Sequence, residues 1–436
     1  MAAELTPAER LPWHRQPGAL ARFVSDLIAD ELAHLRPGGM PLPELPWPAG
    51  LALDEQGLGL DSLERLSVAA ALNEALHLHE SGVEDLLLAH RHFGEWLEVA
   101  ADGLAAFDTR LSFRTSGSSG VAKTCPHALA DLWQEVEHLG SLLPDTRRVL
   151  AAVPGHHLYG FLFTGLLPQH LGCSDVFDIR HMTPQAVASM LRPGDLLISH
   201  PAHWAVLARH AGRLRAGVQG VTSTAPCPDA LAQSLEDIGL GRLTQVYGSS
   251  ETAGIGTRTT AAGAFRLMPF WARDADDARA AGSVGDAADA ADADDGQRLW
   301  RTAAEGSAGS HHIPDRLEWL DGRQFRIAGR LDAAVQVGGT NVHPARVRQV
   351  LLEHPQVSDA QVRLMRPDEG SRLKAFVVPS AGVDPVTLQA DLWRWTESRL
   401  TAPERPKAFT LGEQLPRNAV GKLSDWPLRS PQPVPP

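Results

Sequence analysis

Hydrophobic positions in the first hundred residues recur at helical spacing. Apolar side chains stand three or four positions apart, the period of an amphipathic helix, at Leu20, Phe23, Val24, Leu27, Ile28 and Leu32. A second stripe follows Asp61 and Ser62, either of which can cap a helix N-terminus, and it contains Leu63, Leu66, Ala70 and Leu72. A third helical stretch covers residues 83–100. The pattern predicts a helical region over residues 1–105.

Near residue 110 the pattern changes to short apolar runs that alternate with amphipathic segments, which is typical of a layered α/β domain. Strands are predicted at residues 148–153, 195–199 and 243–247. Strands return over residues 317–337, a helix and a turn follow over 342–361, and a small α+β module extends to residue 409. The Ala/Asp-rich residues 272–296 are expected to form a solvated or mobile loop, and residues 429–436 a disordered tail.

Composition and charge narrow the classes of function. The chain has 436 residues, 43% hydrophobic and 21% charged, which suits a globular protein of two or three domains. Its net charge of -12 argues against nucleic acid or an anionic membrane as a partner, so local donors must hold any anionic ligand. No apolar run approaches the ~20 residues of a membrane span and the first residues lack a secretory signal, so we expect a cytoplasmic protein.

Neither cysteines nor histidines form a metal-binding pattern along the chain. The three cysteines are far apart and odd in number, which also argues against a disulfide framework. Histidines cluster at residues 156–157, 200–203 and 311–312, without cysteine or carboxylate companions at ligand spacing. The sequence therefore predicts no structural metal site.

The most informative segment follows an apolar lead-in at residues 111–113. It is a run of Thr, Ser and Gly from Thr115 to Gly120, and Lys123 comes shortly afterwards. Small residues let backbone N–H groups approach a phosphate, hydroxyls add donors, and the lysine adds positive charge. The spacing is not that of a Walker loop, and a flexible linker is an equally good interpretation of the composition alone.

Four later segments matter because of their order. They are residues 154–160 (Pro-Gly-His-His-Leu-Tyr-Gly), 244–252 (Thr-Gln-Val-Tyr-Gly-Ser-Ser-Glu-Thr), 329–339 and 416–423. Each alone has a structural explanation: a core tyrosine, a carboxylate at a helix start, a hairpin turn and an exposed loop. Together with the Ser/Gly-rich segment they resemble the core motifs of the adenylate-forming superfamily, which includes acyl- and aryl-CoA ligases, adenylation domains and luciferases.

The resemblance extends from about Leu111 to Leu423 and implies a fold and a reaction. The fold is α/β: a layered adenylation domain, expected over residues 106–330, and a mobile α+β C-terminal domain over 331–428. The carboxylate of an acid attacks the α-phosphate of ATP, giving an acyl-adenylate and pyrophosphate, and a thiol then takes the acyl group. ATP, Mg²⁺ and a phosphopantetheine thiol, on a carrier protein or on CoA, are the implied cofactors.

The resemblance also assigns roles to residues. The β,γ-phosphates would be held by Thr115, Ser116, Gly117, Ser118, Ser119, Gly120 and Lys123. Adenine and ribose would contact Thr224, Ala225, Pro226, Tyr247, Asp315 and Arg330. Ser250 would lie near the α-phosphate, Glu251 would bind Mg²⁺, and Lys422 would bridge carboxylate and phosphate. Asp332 would be the hinge, and the thiol would enter beside Gly338 and Gly339.

Two segments depart from the family pattern without removing a charge. Ala122-Lys123-Thr124 stands for Pro-Lys-Gly, and Ile313-Pro314-Asp315 for Thr-Gly-Asp. Asn341 replaces the customary arginine after the double glycine, which weakens the expected contact to CoA or a carrier. The region before the phosphate loop is also shorter than usual and helical.

Residues 58–64 within that region resemble the phosphopantetheine attachment site of acyl carrier proteins. Ser62 is the candidate attachment residue, because a helix N-terminus favours a phosphate. The alternative is that Asp61 and Ser62 only cap a helix that packs against the ligase domain. Residues 1–105 are therefore predicted to be acyl-carrier-like, and a degenerate carrier that replaces the missing front of the ligase is a third interpretation.

The acid is expected to be a hydroxybenzoate. The sequence of residues 154–161 and the short region before the phosphate loop resemble those of aryl-acid ligases of aryl-polyene and xanthomonadin-type pigment pathways. An aromatic slot with one polar group would be formed by His157, Tyr159, Phe161, Ser223, Gly248 and Ser249.

The predicted function is an aryl-adenylating ligase that loads a carrier protein. One alternative is an aryl- or acyl-CoA ligase that uses free CoA. Another is a non-catalytic nucleotide-binding scaffold. The presence of all five charged motif residues argues against it: Lys123, Glu251, Asp315, Arg330 and Lys422.

Overall fold

The structure is a computed structural model of the chain. It describes residues 11–36, 42–115, 123–173, 175–261, 263–273, 298–313, 315–330, 334–366, 368–416 and 423–428. The Ala/Asp-rich segment from residue 274 and the predicted tail at 429–436 lie outside these ranges. The chain divides into two compact units, the first holding most residues up to 331 and the second mainly residues from 332 onward.

Twelve α-helices lie within the described ranges. In the first unit they are α1 (Ala19–Leu35), α2 (Ser62–Leu76), α3 (Leu86–Ala89), α4 (Phe93–Ala106), α5 (Leu129–Ser141), α6 (Leu158–Phe161), α7 (Leu167–His170), α8 (Pro184–Met190), α9 (Pro201–His210) and α10 (Asp229–Asp237). In the second unit they are α11 (Pro344–Leu352) and α12 (Pro385–Glu397). Short 3₁₀ helices at Trp13–Arg15 and Leu78–Glu80 and a π-helix at Leu162–Leu166 complete the set. None of the described helices combines the length and hydropathy needed to cross a membrane.

The strands of the first unit alternate with these helices. They are β1 (Arg110–Thr115), β2 (Lys123–Ala128), β3 (Arg148–Ala151), β4 (Val176–Asp178), β5 (Asp195–Ser199), β6 (Gln219–Thr222), β7 (Arg242–Ser249), β8 (Ala253–Arg258), β9 (Phe265–Leu267), β10 (Trp271–Ala272), β11 (Arg298–Thr302), β12 (Ala308–His312), β13 (Asp315–Trp319) and β14 (Gln324–Arg330). The second unit adds β15 (Val335–Val337), β16 (Thr340–Val342), β17 (Val357–Leu364), β18 (Leu373–Pro379) and β19 (Ala408–Leu411).

Nine strands form the main sheet, in the order β13-β14-β9-β8-β7-β6-β5-β3-β4. Strands β4, β3, β5, β6 and β7 are parallel, and the neighbours beyond β7 are antiparallel. Strand β5 is buried at every position, as expected for a parallel strand covered on both faces. The three strands predicted from the sequence are β3, β5 and β7, so the predicted layered α/β architecture is confirmed.

The N-terminal helices confirm one predicted stripe and correct another. Helix α1 buries all six of its predicted apolar positions. In α2, by contrast, Leu63, Leu66 and Ala70 are exposed, Leu63 to 75%, and only Leu72 is buried as predicted. The buried face of α2 contains Val68, Ala69, Ala71, Leu72, Ala75 and Leu76. Because α2 has apolar residues on both faces, periodicity could not tell which face packs. The predicted third helix is interrupted between Ala89 and Phe93, giving α3 and α4.

Residues before and after position 105 share one hydrophobic core. Four aromatic rings join the two regions: Phe161 lies 4.8 Å from Trp13, 5.7 Å from Phe23 and 5.6 Å from Phe113, between ring centroids. The same core continues through α2 and α4 into the main sheet. Within the described ranges, the residues before 106 form no hydrophobic core of their own. This packing favours the interpretation of α2 as a helix of the ligase domain, while the carrier-like character of residues 1–105 stays a prediction.

The second unit is a small α+β module, as predicted. Strand β18 pairs antiparallel with β17 and parallel with β19, and α11 and α12 contribute to the same core. The segment predicted as a helix and turn at 342–361 contains α11 followed by the first half of β17. Gly338 and Gly339, with φ of 60° and 87°, form the turn between β15 and β16. Two consecutive residues with positive φ are the pattern of a tight hairpin turn, for which glycine has no steric cost.

Candidate active site

The loops that follow the parallel strands gather the predicted site residues at one edge of the main sheet. Strands β3, β5, β6 and β7 end there, and residues 152–157, 200, 223–226 and 250–252 come directly afterwards. In open α/β sheets, ligands bind outside the carboxyl ends of the strands. The topology therefore places the predicted acid, adenine and magnesium residues along a common edge.

Thr224, after β6, shows two signs of a ligand site. Its backbone has φ of 73°, in the left-handed region that non-glycine residues seldom adopt. Its Oγ1 atom is buried and forms no hydrogen bond to any residue that the structure describes. Local strain and an unsatisfied buried hydroxyl each cost free energy, and both are common where a ligand completes the site. The segment 224–226 therefore fits its predicted place beside adenine.

Tyr247 and Asp315 lie in direct contact, although 68 positions separate them. The Tyr247 hydroxyl donates to Asp315 Oδ2 over 2.9 Å, and each residue is only 7% exposed. The Tyr247 ring packs edge-on against Phe325, with centroids 5.4 Å apart. Asp315 is also directly opposite Arg330 in the β13–β14 register, so the two predicted ribose residues share one position of the ladder. The structure thus brings the predicted adenine and ribose residues together.

Glu251, in the turn between β7 and β8, lies beside Lys123. The Lys123 Nζ atom is 3.9 Å from Glu251 Oε1, and their side chains are 65% and 41% exposed. Lys123 begins β2 and stands opposite Thr115 of β1, the last described residue before the predicted phosphate-loop segment. An accessible carboxylate suits Mg²⁺, which prefers carboxylate and phosphate oxygens, and the lysine offers a cation to the phosphates. The residues present therefore fit a magnesium–ATP complex.

Several side chains outside the motifs brace the β7–β8 turn. His127 Nε2 donates to the Ser250 carbonyl over 2.7 Å, and Arg301 Nη1 to the Thr252 carbonyl over 3.2 Å. Trp271 Nε1 donates to the Gly254 carbonyl over 2.7 Å. Burial is the main reason that the pKa of His127 lies below its usual value, so the ring is neutral and its Nε2–H serves this bond. None of these residues stands in a recognisable motif, so the sequence could not reveal them.

Glu135 of α5 also stabilises the β7–β8 hairpin, through a hydrogen bond to its backbone. Its carboxylate is fully buried, and its Oε2 atom accepts the Gly254 N–H over 2.9 Å. Burial raises the pKa of Glu135, while the charge of Arg301 and the Gly254 hydrogen bond act in the opposite direction. A Cβ atom at position 254 would lie 2.2 Å from Glu135 Oε1, so this close approach requires glycine. The position of the Glu251 turn thus depends on a buried carboxylate that no motif contains.

The residues predicted around the acid divide into exposed and structural groups. His157 is exposed at the sheet edge, but Phe161 is 1% exposed and belongs to the aromatic core. The Tyr159 hydroxyl lies 2.9 Å from the Ser199 carbonyl and 3.1 Å from that of Val221, so it is satisfied by the ends of β5 and β6. Ser223 Oγ donates to the Val246 carbonyl over 2.9 Å. The hydroxyls of Tyr159 and Ser223 therefore stabilise the loops at the sheet edge by hydrogen bonds to backbone carbonyls.

The two other acid-pocket positions belong to the β7–β8 hairpin. Ser249 Oγ lies 3.1 Å from Thr252 Oγ1, which closes the turn. At Gly248 the register shifts, and a Cβ atom there would lie 2.1 Å from the Ala253 carbonyl oxygen. Any side chain at position 248 would force the hairpin apart, because backbone cannot move aside as a flexible side chain does. Glycine is therefore needed for the bulge itself.

Part of the predicted site lies outside the described residues. These positions are Ser116, Gly117, Ser118, Ser119, Gly120, Asp332 and Lys422. For Thr115 and Arg330 the structure describes the backbone only. Their predicted roles stay predictions.

In the second unit, a buried lysine fastens the segment that follows Lys422. Lys374 has a fully buried side chain, and its Nζ atom donates to the Trp426 carbonyl over 2.7 Å. The same atom pairs with Glu369 over 2.7 Å and with Asp425 over 3.0 Å. The Arg366 and Lys374 hydrogen bonds hold the pKa of Glu369 well below its usual value, so this carboxylate stays a charged partner of Lys374. The stretch 423–428 is therefore tied to β18 and to the turn before it.

Comparison with known proteins identifies the family. The model of the AMP-binding enzyme family matches residues 64–294, and that of the AMP-binding enzyme C-terminal domain matches 347–422. The first match begins inside the region predicted to be carrier-like. Both matches are consistent with the order of motifs along the chain.

Curated relatives match over nearly their whole length. The chain is 38% identical over 404 residues to a 4-coumarate–CoA ligase of Halorhodospira halophila, which covers 92% of this chain and 97% of that protein. It is 39% identical over 397 residues to a 4-coumarate–CoA ligase of Rhodobacter capsulatus, covering 88% and 94%. These names differ from the pigment-pathway ligases that the sequence motifs suggested.

A solved structure shares the fold. The amide bond synthetase of Marinactinospora thermotolerans superposes with a TM-score of 0.56 at 18% identity, covering 96% of this chain and 93% of that one. The likeness to it extends over both units of the chain. With these matches, the chain belongs to the AMP-binding enzymes and is an AMP-forming acid–thiol ligase of the adenylate-forming family.

Proposed function

We propose that the protein is an ATP-dependent aryl-CoA ligase that activates a 4-hydroxycinnamate-type acid and transfers it to free CoA. The observation that carries this proposal is the match to two 4-coumarate–CoA ligases over most of both chains. The site supports it, because the residues predicted to bind adenine, ribose and magnesium lie along the edge of the sheet that also presents His157. Free CoA, the alternative acyl acceptor in the sequence analysis, thus takes the place of the carrier protein that was predicted first.

The first half-reaction joins two anions. An oxygen of the acid attacks the α-phosphorus of ATP, the bond to the bridging oxygen breaks, and pyrophosphate leaves with that electron pair. Mg²⁺, held by Glu251, would neutralise phosphate charge when bound. Lys123 adds a second cation beside Glu251, and the predicted role of Lys422 is to bridge the attacking carboxylate and the phosphate. Tyr247 and Asp315 orient the nucleoside.

In the second half-reaction the CoA thiol, as its thiolate, attacks the acyl carbon and AMP leaves. The predicted entry beside Gly338 and Gly339 is an exposed glycine turn, which lets a narrow pantetheine arm pass close to the backbone. Adenylation and thiolation would use different arrangements of the two units, as in other hinge-type enzymes. Asp332 keeps its predicted role as the hinge.

The test is pyrophosphate release with ATP and Mg²⁺ over a panel of hydroxycinnamates, hydroxybenzoates and short fatty acids. The thiol is then varied: none, CoA, or a phosphopantetheinylated carrier. We expect 4-coumarate to be preferred and CoA to accelerate turnover. A strong preference for hydroxybenzoates with acceleration only by the carrier would restore the first prediction and overturn the proposal. Binding of ATP without pyrophosphate release for any acid of the panel would favour the nucleotide-binding scaffold.

Replacing Lys422 tests the mechanism. Lys422→Ala should lower adenylate formation by at least about 100-fold while ATP binding stays largely intact, because the lysine acts on the transition state. The matched control is Lys407→Ala, which removes an exposed lysine of the same unit. Unchanged adenylation in Lys422→Ala would contradict the mechanism.

A further inference from the structure

The histidine pair at 156–157 acquires a carboxylate companion that the sequence does not show. Asp30, on α1, brings its carboxylate to the loop after β3, where His156 and His157 lie. One ligand atom from each of the three side chains lies within 4.8 Å of the other two. The two imidazole rings are 4.1 Å apart between centroids and inclined by 43°. Three groups that each offer a lone pair therefore converge at one place.

His156 is the unusual member of this group. Its side chain is only 10% exposed, and neither Nδ1 nor Nε2 forms a hydrogen bond to any described residue. Nε2 lies 3.6 Å from Asp30 Oδ2, which is too long for a hydrogen bond. Leaving a buried polar atom unsatisfied costs about 1–3 kcal/mol, and an unoccupied ion site is one of the recognised explanations. Nε2 faces the carboxylate, so an ion between them would give Nε2 a partner.

The backbone at this place is fixed before any ion arrives. Asp26, one helical turn before Asp30, accepts the Gly155 N–H at its Oδ2 atom over 2.6 Å. The other oxygen of Asp26 pairs with Arg180 over 2.6 Å, and the Asp26 side chain is almost fully buried. These bonds hold the residue before His156 against α1. The donor set is thus carried on two elements that are already tied together, which lowers the cost of ordering it.

We propose that Asp30, His156 and His157 form a binding site for a divalent transition-metal ion, with Zn²⁺ as the probe. Two imidazoles and one carboxylate are the ligands that such ions prefer, whereas Mg²⁺ and Ca²⁺ favour all-oxygen sets. The side chain of Asp30 is 42% exposed and His157 is exposed, so an ion can enter from solvent. Three protein ligands leave at least one coordination position open.

The required adjustment is small. An ion about 2.0–2.2 Å from each donor needs donor atoms roughly 3–3.5 Å apart, so the side chains must close by rotation. Asp30 and His157 lie on the solvent-exposed side of the group, where a side chain can rotate without displacing the core. The bound ion would join the middle of α1 to the loop after β3. This proposal concerns metal binding alone and does not depend on which acid the ligase uses.

The experiment uses the full-length protein, freed of metal by a chelator and titrated calorimetrically with ZnCl₂ in the absence of ATP. We expect one equivalent to bind and the unfolding temperature to rise with Zn²⁺. Substitution with Co²⁺ should give visible absorption bands of a mixed nitrogen–oxygen site. Both His156→Ala and the near-isosteric Asp30→Asn should weaken Zn²⁺ binding at least tenfold. Their circular dichroism without metal should match that of the unsubstituted protein.

His79→Ala is the matched control. His79 belongs to a second group, with His77 and Glu80, whose members also approach one another. There His77 Nε2 is 2.9 Å from Ser112 Oγ and His79 Nδ1 is 3.3 Å from Asn73 Oδ1, so the ring nitrogens have partners. His79→Ala should leave Zn²⁺ binding unchanged. Absence of stoichiometric binding, or equal affinity in His156→Ala and the unsubstituted protein, would overturn the proposal, as would loss of binding in His79→Ala alone.

Discussion

The phenolic hydroxyl of Tyr247 and the carboxylate of Asp315 form a 2.9 Å hydrogen bond between strands β7 and β13, which are four places apart in the main sheet. The bond joins the residue predicted to stack on adenine with the one predicted to bind ribose. Because both side chains are nearly buried, their arrangement is set before the nucleotide arrives. Such preorganisation reduces the ordering cost of binding.

Replacing Tyr247 by phenylalanine should raise the KM for ATP by about 2–10-fold, the value of one hydrogen bond, with little change in kcat. The ring that stacks is retained, so only the fixation of Asp315 is lost. Tyr247→Ala should have a larger effect, because it removes the ring as well. Pyrophosphate-release kinetics with varied ATP measure both variants. Identical KM values for Tyr247→Phe and the unsubstituted enzyme would show that the bond has no part in nucleotide binding.

His127 should control the position of the magnesium-binding turn. His127→Phe keeps an aromatic ring but removes the donor to the Ser250 carbonyl. We expect the Mg²⁺ concentration for half-maximal activity to rise about 5–10-fold, since a loosened turn no longer presents Glu251 correctly. Binding of ATP without Mg²⁺ should be unaffected. His354→Phe, which alters a buried histidine of the second unit, is the control and should leave the Mg²⁺ dependence unchanged.

Lys374 should affect the chemistry through the segment after Lys422. In Lys374→Met, the Trp426 carbonyl loses its donor, and Glu369 and Asp425 lose their shared cation. The resulting misplacement of Lys422 should slow adenylation at least about tenfold. Thioester formation from supplied acyl-adenylate should fall much less, which a general loss of folding would not produce. The exposed Lys407→Met is the control. Equal loss in both half-reactions would indicate a purely structural role.

Acidification should destabilise the first unit through His203. Burial, with a contribution from His200, lowers the pKa of His203 to about 4, and its Nδ1 atom lies 2.7 Å from Ser199 Oγ. The unfolded chain takes up the proton near pH 6.5 and the folded protein only near 4, so stability present above pH 6.5 is lost between these values. The loss at pH 5 is on the order of 1–2 kcal/mol. His203→Gln should flatten the denaturation midpoint against pH over this window, and an unchanged profile would exclude His203.

Substitutions at Ser62 and Asp61 distinguish a helix that is only capped by these residues from an acyl-carrier-like region modified at Ser62. Asp61 caps α2: its Oδ1 atom accepts the N–H groups of Leu63 and Glu64, each over 2.8 Å. Asp61→Ala should cost about 1 kcal/mol of stability, whereas Ser62→Ala should cost almost nothing. If the capping interpretation is correct, Ser62→Ala also leaves acyl loading unchanged in the presence of a phosphopantetheinyl transferase. Mass spectrometry that finds a phosphopantetheine on Ser62 would establish the carrier interpretation.

The parts of the fold that sequence could predict are those specified locally. The stripe of α1 has one apolar face, so periodicity identified both the helix and its buried side. Strands β3, β5 and β7 are short apolar runs bounded by loops, and they belong to the parallel half of the sheet. The prediction for α2 was wrong because the helix has apolar residues on both faces, and the face that carries Val68 is buried while Leu63 and Leu66 are exposed.

In the candidate site, too, some residues could be predicted from the sequence and others could not. Tyr247, Glu251 and Asp315 stand in motifs whose order carries information, so they could be named from the sequence. Glu135 and His127 act through contacts with residues more than a hundred positions away, at Gly254 and Ser250. Asp30 likewise approaches His156 only after the chain has folded. Long-range partners of this kind leave no local pattern, and a structure is needed to find them.

The aromatic group of Trp13, Phe23, Phe113 and Phe161 limits how this enzyme can be rebuilt. Two of its rings come from the first 23 residues and two from later elements, and all four are nearly inaccessible to solvent. Deletion or exchange of the whole N-terminal region would remove Trp13 and Phe23 and expose Phe113 and Phe161 to water. Chimeras with other ligases should therefore place their junctions beyond α6, where both halves of the group are inherited from one parent.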